Sequence, residues 1–203
     1  MRYLCVMVLL FPLAATGTGW QPYVGIVGGT ASAVFVVGDP TAFPDTVYEA
    51  YGLQAGAFAD WPFRVRSELH YRQSGLYELV GDERADFRMD HISIAAQYRP
   101  QLLASGPTEL IGAVGPRLDV FVSSIASPQS FYRDVRAEQM RRVNLGADVG
   151  FAVQVVIGRL SVVPEFRVGA TALSATMSSA LVLRPVTFQF LVGVGYRLGP
   201  AVP

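Results

Sequence analysis

The stretch Phe63-Arg64-Val65-Arg66-Ser67-Glu68-Leu69-His70-Tyr71-Arg72-Gln73-Ser74-Gly75 decides how the remaining residues are read. Arg64, Arg66, Glu68, His70 and Arg72 hold every second position, with Val65, Ser67, Leu69 and Tyr71 between them. On a β-strand successive side chains point to opposite faces, whereas a helix would scatter the same residues around its axis. Period two therefore predicts a strand with one charged face and one mainly apolar face. In a soluble sheet the charged face meets water. In a membrane barrel the apolar face meets lipid and the charged face lines the bore.

Composition favours the second alternative and leaves a soluble all-β protein with an apolar core open. The chain has 203 residues, of which 51% are hydrophobic and only 16% charged, and its mean hydropathy is +0.35. Soluble domains carry roughly 25% charged residues. Beyond the amino terminus no run of about 18 apolar residues offers a spanning helix. A high average without such a run is the mark of a membrane β-barrel, whose lipid-facing residues are diluted one to one by inward ones. The formal net charge is zero, so no nucleic-acid partner is indicated. All sixteen basic residues are Arg, which carries no functional weight.

The amino terminus has the form of a secretory signal. Arg2 supplies positive charge, Tyr3 to Ala14 is a short apolar core, and small residues around Ala15, Thr16 and Gly17 suit cleavage. A signal peptide over residues 1–19, cut near 15–19, and a barrel domain over 20–203 are expected. The single cysteine, Cys5, lies within the signal, so the exported chain is expected to hold no disulfide.

Eight strands are predicted: Tyr23 to Val36, Glu49 to Ala59, Phe63 to Gly75, Asp90 to Arg99, Thr108 to Ser123, Arg142 to Ile157, Leu160 to Leu173 and Val186 to Leu198. The alternation is clear in the third, fourth, sixth, seventh and eighth. It is poor in the Gly-rich first strand, and in the second Ala57 and Phe58 could each face either way. Predicted connections alternate in length. Asp60-Trp61-Pro62, Pro100 to Pro107 and Gly158-Arg159 are short; Val37 to Tyr48, Leu76 to Met89, Ser124 to Arg141 and Ser174 to Pro185 are long. Outer-membrane barrels sort their loops in this way, with short periplasmic turns and longer extracellular loops. Trp61 and Phe63 lie at a short turn, Tyr98 ends the fourth strand and Tyr196 the eighth, as in an interfacial aromatic belt.

On this parity the bore receives Arg64, Arg66, Glu68, His70, Arg72, Arg99, Arg117, Asp119, Asp148, Glu165, Arg167 and Arg197. Each unpaired ion in a dry core would cost several kcal/mol. An Arg facing lipid at mid-bilayer would cost roughly 2–4 kcal/mol. A bore in which opposite charges meet avoids both penalties.

Several segments resemble the small exported outer-membrane β-barrel proteins of the porin-like, PorT-like kind. These are Tyr23 to Gly29, Gly52 to Phe58, Ser67 to Gly75, Ile92 to Tyr98 and Phe190 to Leu198. The resemblance implies an all-β fold, an eight-stranded antiparallel up-and-down transmembrane barrel in the cell outer membrane of a Gram-negative organism. Outer-membrane lipids and the barrel-assembly machinery are the expected partners, the family implies no single activity, and any specific ligand is expected at the long extracellular loops, where binding residues usually sit. It implies no shared catalytic residue. Such barrels usually end on an aromatic residue, and this chain instead continues through Gly199-Pro200-Ala201-Val202-Pro203.

No cofactor, metal or catalytic residue is predicted. His91-Ile92-Ser93 is similar to the His and Ser pair of membrane-barrel lipid A deacylases, but parity turns both into the bore. His70 and His91 lack the ligand spacing of a metal site. Gly25 to Gly29 lacks the lysine and the strand-to-helix context of a phosphate loop. Phe131 to Arg142 is read as a solvated loop. The expected function is therefore structural or interactive, with a plugged bore and working loops. A narrow solute channel, a lipid-modifying enzyme and a soluble lipocalin-like barrel are the alternatives.

Overall fold

The computed structural model describes residues 23–37, 47–80, 83–126, 128, 140–173 and 183–198. The predicted signal peptide and the carboxy-terminal Gly199 to Pro203 lie outside them, as do most of the long connections.

The described residues form nine antiparallel strands. They are β1 (Tyr23–Val37), β2 (Val47–Trp61), β3 (Val65–Val80), β4 (Glu83–Tyr98), β5 (Gln101–Ser105), β6 (Thr108–Ala126), β7 (Val143–Ile157), β8 (Leu160–Thr171) and β9 (Leu183–Arg197). Hydrogen bonding runs β4-β3-β2-β1-β9-β8-β7-β6, and β6 pairs back onto β4. The sheet is thus a closed antiparallel barrel of eight staves. The short β5 continues the line of β4 along the foot of β6, with Tyr98↔Val114 giving way to Gln101↔Ile111. Closure pairs the backbone of β1 with β9 from Tyr23↔Arg197 to Val37↔Leu183, which leaves the barrel wall no open edge.

The lower end carries the tight connections at Pro62–Arg64 and Gly158-Arg159, together with the start of β1 and the end of β9. At the upper end, residues 38–46, 127–142 and 172–182 separate successive strands. One expected long loop is absent. Leu76 to Met89 belongs to β3 and β4, which pair up to Val80↔Glu83 and leave only Gly81 and Asp82 between them. Ala85, Phe87 and Met89 are buried while Asp86 and Arg88 are exposed, so the inward and outward rhythm of β4 runs straight through. Gly-Asp is itself a two-residue hairpin sequence. The strict alternation of loop lengths therefore fails at this hairpin. Pro100 to Pro107, expected as a plain short turn, contains the exposed hairpin strand β5.

Facing in the first two staves is settled by packing. Phe58 points inward, 4% exposed, against Val27 and Leu191, while Ala57 faces out. A Cβ on Gly25 or on Gly195 would run into the Phe58 ring, so the glycines flanking that position make room for one large side chain.

β3 begins at Val65, two residues later than expected. Phe63 and Arg64 both take left-handed backbone conformations, with φ of 62° and 60°. Trp61 pairs with Val65, so the turn spans three residues and its last two are the left-handed ones. This turn removes Arg64 from the alternation.

Candidate functional site

The bore is the site that the fold builds. Its walls are the inward-facing positions of eight staves, and its most polar positions fall into two groups, one above the other.

The lower group centres on β8. Arg167 donates from Nη1 and Nη2 to Glu68 on β3, at 2.5 and 2.7 Å, and from Nε to Glu165 at 2.5 Å. Glu165 also accepts from Arg99 Nη1, at 2.8 and 3.0 Å. β3 and β8 lie four staves apart in either direction, so the Glu68 and Arg167 pair crosses the full width of the barrel. Arg66 grips Asp60 through two bonds of 2.6 and 2.9 Å, and its guanidinium lies 3.8 Å over the Phe58 ring. His70 adds a relay. Gln54 Nε2 meets its Nδ1 at 2.6 Å and Glu68 meets its Nε2 at 2.9 Å. A proton on Nε2 satisfies both contacts.

The upper group lies along one wall. Arg72 on β3 and Arg117 on β6 both reach Asp119, each at 3.0 Å. Arg117 also pairs with Asp148 on β7. Ser93 donates to Asp119 at 2.6 Å, and Gln189 on β9 reaches Asp148 at 3.4 Å. On β8 the position facing this group is Gly169, where a Cβ would collide with Asp148 and Arg117.

Together the two groups set five guanidinium groups, of Arg66, Arg72, Arg99, Arg117 and Arg167, against five carboxylates, of Asp60, Glu68, Asp119, Asp148 and Glu165. Each group is neutral by itself. Removing one partner of a buried pair costs about 3–5 kcal/mol, because the other charge is left behind in a poor solvent.

Ten of the twelve residues expected in the bore are buried there: Arg66, Glu68, His70, Arg72, Arg99, Arg117, Asp119, Asp148, Glu165 and Arg167. Arg64 is not among them. It is exposed in the β2–β3 turn, where it donates to Gln101 Oε1 at 2.5 Å. Arg197 stands half-buried at the lower mouth and donates to the Tyr23 hydroxyl at 2.6 and 2.8 Å. Sequence reasoning missed Asp60, which it placed in a turn. The signal was present, because Asp60 shares the parity of Gln54 and Phe58 on β2.

His91 sits edge-on to Phe121, with ring centroids 5.9 Å apart, and Ser93 gives its proton to Asp119. Among the described residues no group of three or more His, Cys, Asp or Glu could hold a metal ion.

The outer wall has the opposite character. Ile26, Leu53, Ile94, Val149, Phe190 and Val192 are among the large apolar side chains it exposes. Phe151, Phe166 and Phe190 form a row across β7, β8 and β9, with successive ring centroids 5.7 and 4.9 Å apart. Phe63, Tyr98 and Tyr196 are exposed at the lower ends of their elements.

No family model and no curated protein matches this chain. Solved structures do. Neisserial surface protein A is 13% identical, with a TM-score of 0.51, over 86% of this chain and 96% of its own. A major outer membrane protein from Thermus thermophilus is 14% identical, with a TM-score of 0.44, over 86% and 99%. The attachment invasion locus protein Ail of Yersinia pestis is 12% identical, with a TM-score of 0.42, over 88% and 100%. At 13% identity the likeness to Neisserial surface protein A is one of fold alone.

Proposed function

We propose that the chain is exported to the outer membrane of a Gram-negative cell and serves there as a structural or interaction barrel, its bore closed and its recognition surface at the upper end. The observation that carries this reading is the ion pair of Glu68 and Arg167, which bridges opposite walls. With Arg99 and Glu165 it fills the lower bore with side chains that each have a partner of opposite charge. Eight staves leave an interior only wide enough for side chains to fill.

The outer wall supports the membrane setting. From Val186 to Tyr196 the outward residues of β9 are all apolar or aromatic. Ten residues of rise, tilted as barrel strands are, give a height of about 25 Å, that of an apolar membrane band. Strands of 12 to 19 residues, on either side of β5, exceed the roughly 9–11 needed to cross, so the upper end projects beyond the bilayer. Binding residues concentrate on such ends. No catalytic step is assigned, because the hydroxyl of Ser93 is 2% exposed and spent on Asp119, away from the lipid face.

Planar-bilayer recording of the refolded protein tests the closed bore. No sustained ion current is expected from the natural chain, and current should appear in the Glu68→Ala, Arg167→Ala double variant. Steady current from the natural chain would replace this reading with a narrow channel. Heat-modifiable gel migration of protein extracted from outer membranes tests closure and location together.

A further inference from the structure

Below the lower ion-pair group the bore widens into a vestibule of about 610 Å³ at the short-turn end. Four guanidinium groups line it, those of Arg64, Arg66, Arg99 and Arg197. Their partners differ from those deeper in the bore. Arg66 donates from Nε and Nη2 to both carboxylate oxygens of Asp60. Arg64 is bonded to an amide oxygen of Gln101, and Arg197 to the phenol of Tyr23, neither of which carries charge. Arg99, 5% exposed, is tied to Glu165 through Nη1 and so belongs with the paired charges, which leaves Arg64 and Arg197 as the two without a charged partner. The remaining lining carboxylate, Glu109, is too little to balance them. The ion pairing that neutralises the bore therefore stops at the vestibule, where positive charge is in excess.

Tyr23 and Trp61 also line the cavity, with Phe63 at its exposed edge. Trp61 is fixed by a bond from Nε1 to Ser67 Oγ at 2.7 Å. The strained turn holding Phe63 and Arg64 forms part of the rim. Residues held in unfavourable backbone regions gather at ligand sites more often than elsewhere. Ligand pockets span about 300–1,000 Å³ and combine apolar walls with a few directed polar groups.

We infer that the vestibule binds a small organic anion, a carboxylate or phosphate carried on an aromatic or apolar body. The anionic group meets the guanidinium groups of Arg64 and Arg197, and the body lies against Tyr23 and Trp61. Guanidinium is suited to either anion because its parallel N–H groups match two oxygens at once. The site faces the end opposite the long connections, so it is separate from any recognition there.

Titration calorimetry on the detergent-folded barrel tests this, with phenyl phosphate, benzoate and neutral benzyl alcohol as probes. Saturable one-to-one binding is expected for at least one of the two anions, and their ranking identifies the preferred group. Benzyl alcohol should bind at least about tenfold more weakly, the value of one charge-assisted contact. The Arg64→Gln, Arg197→Gln double variant should lose a similar factor, its folding checked by heat-modifiable migration. Should that variant fail to fold, Arg64→Gln alone, at an exposed turn position, provides the comparison. Absence of saturation with both anions, equal binding of benzyl alcohol, or unchanged affinity in the folded variant would overturn the inference.

Discussion

The two charged groups in the bore solve one problem in different ways. The lower group is a strut. Arg167 on β8 reaches Glu68 on the opposite wall, and Arg99 at the foot of β4 reaches Glu165 on β8. The upper group is a girdle. Its ion pairs join β3 to β6 and β6 to β7, staying on one side of the barrel. The stave that makes the difference is β8. At the lower level it contributes Glu165 and Arg167, and at the upper level only Gly169, whose missing side chain leaves room for the girdle. A long side chain in the girdle's place would force it apart. A glycine in the strut's place would leave the bore uncrossed. The choice of one long or one absent side chain per level thus decides whether charge spans the barrel or lines it.

Breaking the strut should have the larger effect. Glu68→Ala strips Arg167 of the carboxylate that takes two of its three bonded nitrogens, and it removes the acceptor of His70. The expected loss is about 3–5 kcal/mol of folding stability, the cost of stranding a buried charge. Urea unfolding of the refolded barrel would read it as a lower midpoint at unchanged slope. Asp119→Asn, in the girdle, keeps the size of the side chain and leaves Arg117 its second partner, Asp148. Arg72 keeps an amide oxygen as acceptor in place of the carboxylate, so a smaller loss of about 1–3 kcal/mol is expected in the same assay. Were Asp119→Asn to cost as much as Glu68→Ala, the strut would hold no special place in the architecture.

Much of this was legible in the sequence where both environments are extreme. In β3, β4, β7, β8 and β9 a polar bore and an apolar exterior demand opposite residues at alternate positions, so period two was unmistakable and supplied most of the inward list. β1 and β2 resisted for a physical reason. Most of their inward positions are small or apolar, with Gly25, Val27 and Gly29 beside Gly56 and Phe58, because Phe58 needs space from its neighbours, and on β2 Gln54 and Asp60 are the polar ones. Hydropathy then differs little between faces. The length of the β3–β4 hairpin was hidden by its charge. Glu78, Glu83, Arg84, Asp86 and Arg88 look like a solvated loop, although Ala85, Phe87 and Met89 keep the inward rhythm. Which charges would meet across the bore was beyond the sequence, since Glu68 and Arg167 are brought together only by closure of the sheet.

The smallest expected effect concerns the turn that feeds the strut. Asp60 and Arg66 close the β2–β3 hairpin just above Phe63 and Arg64. The β7–β8 hairpin turns at Gly158, with φ of 63°, where the left-handed region carries no penalty. In the β2–β3 turn Arg64 takes almost the same φ, 60°, with a Cβ, at a cost of roughly 1–2 kcal/mol. Arg64→Gly relieves that strain but adds about 0.5–1 kcal/mol of unfolded-chain entropy. It also gives up the exposed bond to Gln101, which solvent largely replaces. The balance predicts a modest gain, about 0.5–1 kcal/mol, seen as a slightly higher urea midpoint. Asp119→Asn in the same background should cost what it costs alone, because the girdle shares no partner with this turn. A loss of stability on Arg64→Gly would instead mean that the Arg64 contact with Gln101 outweighs the strain. The turn would then be held in its shape by the foot of β5.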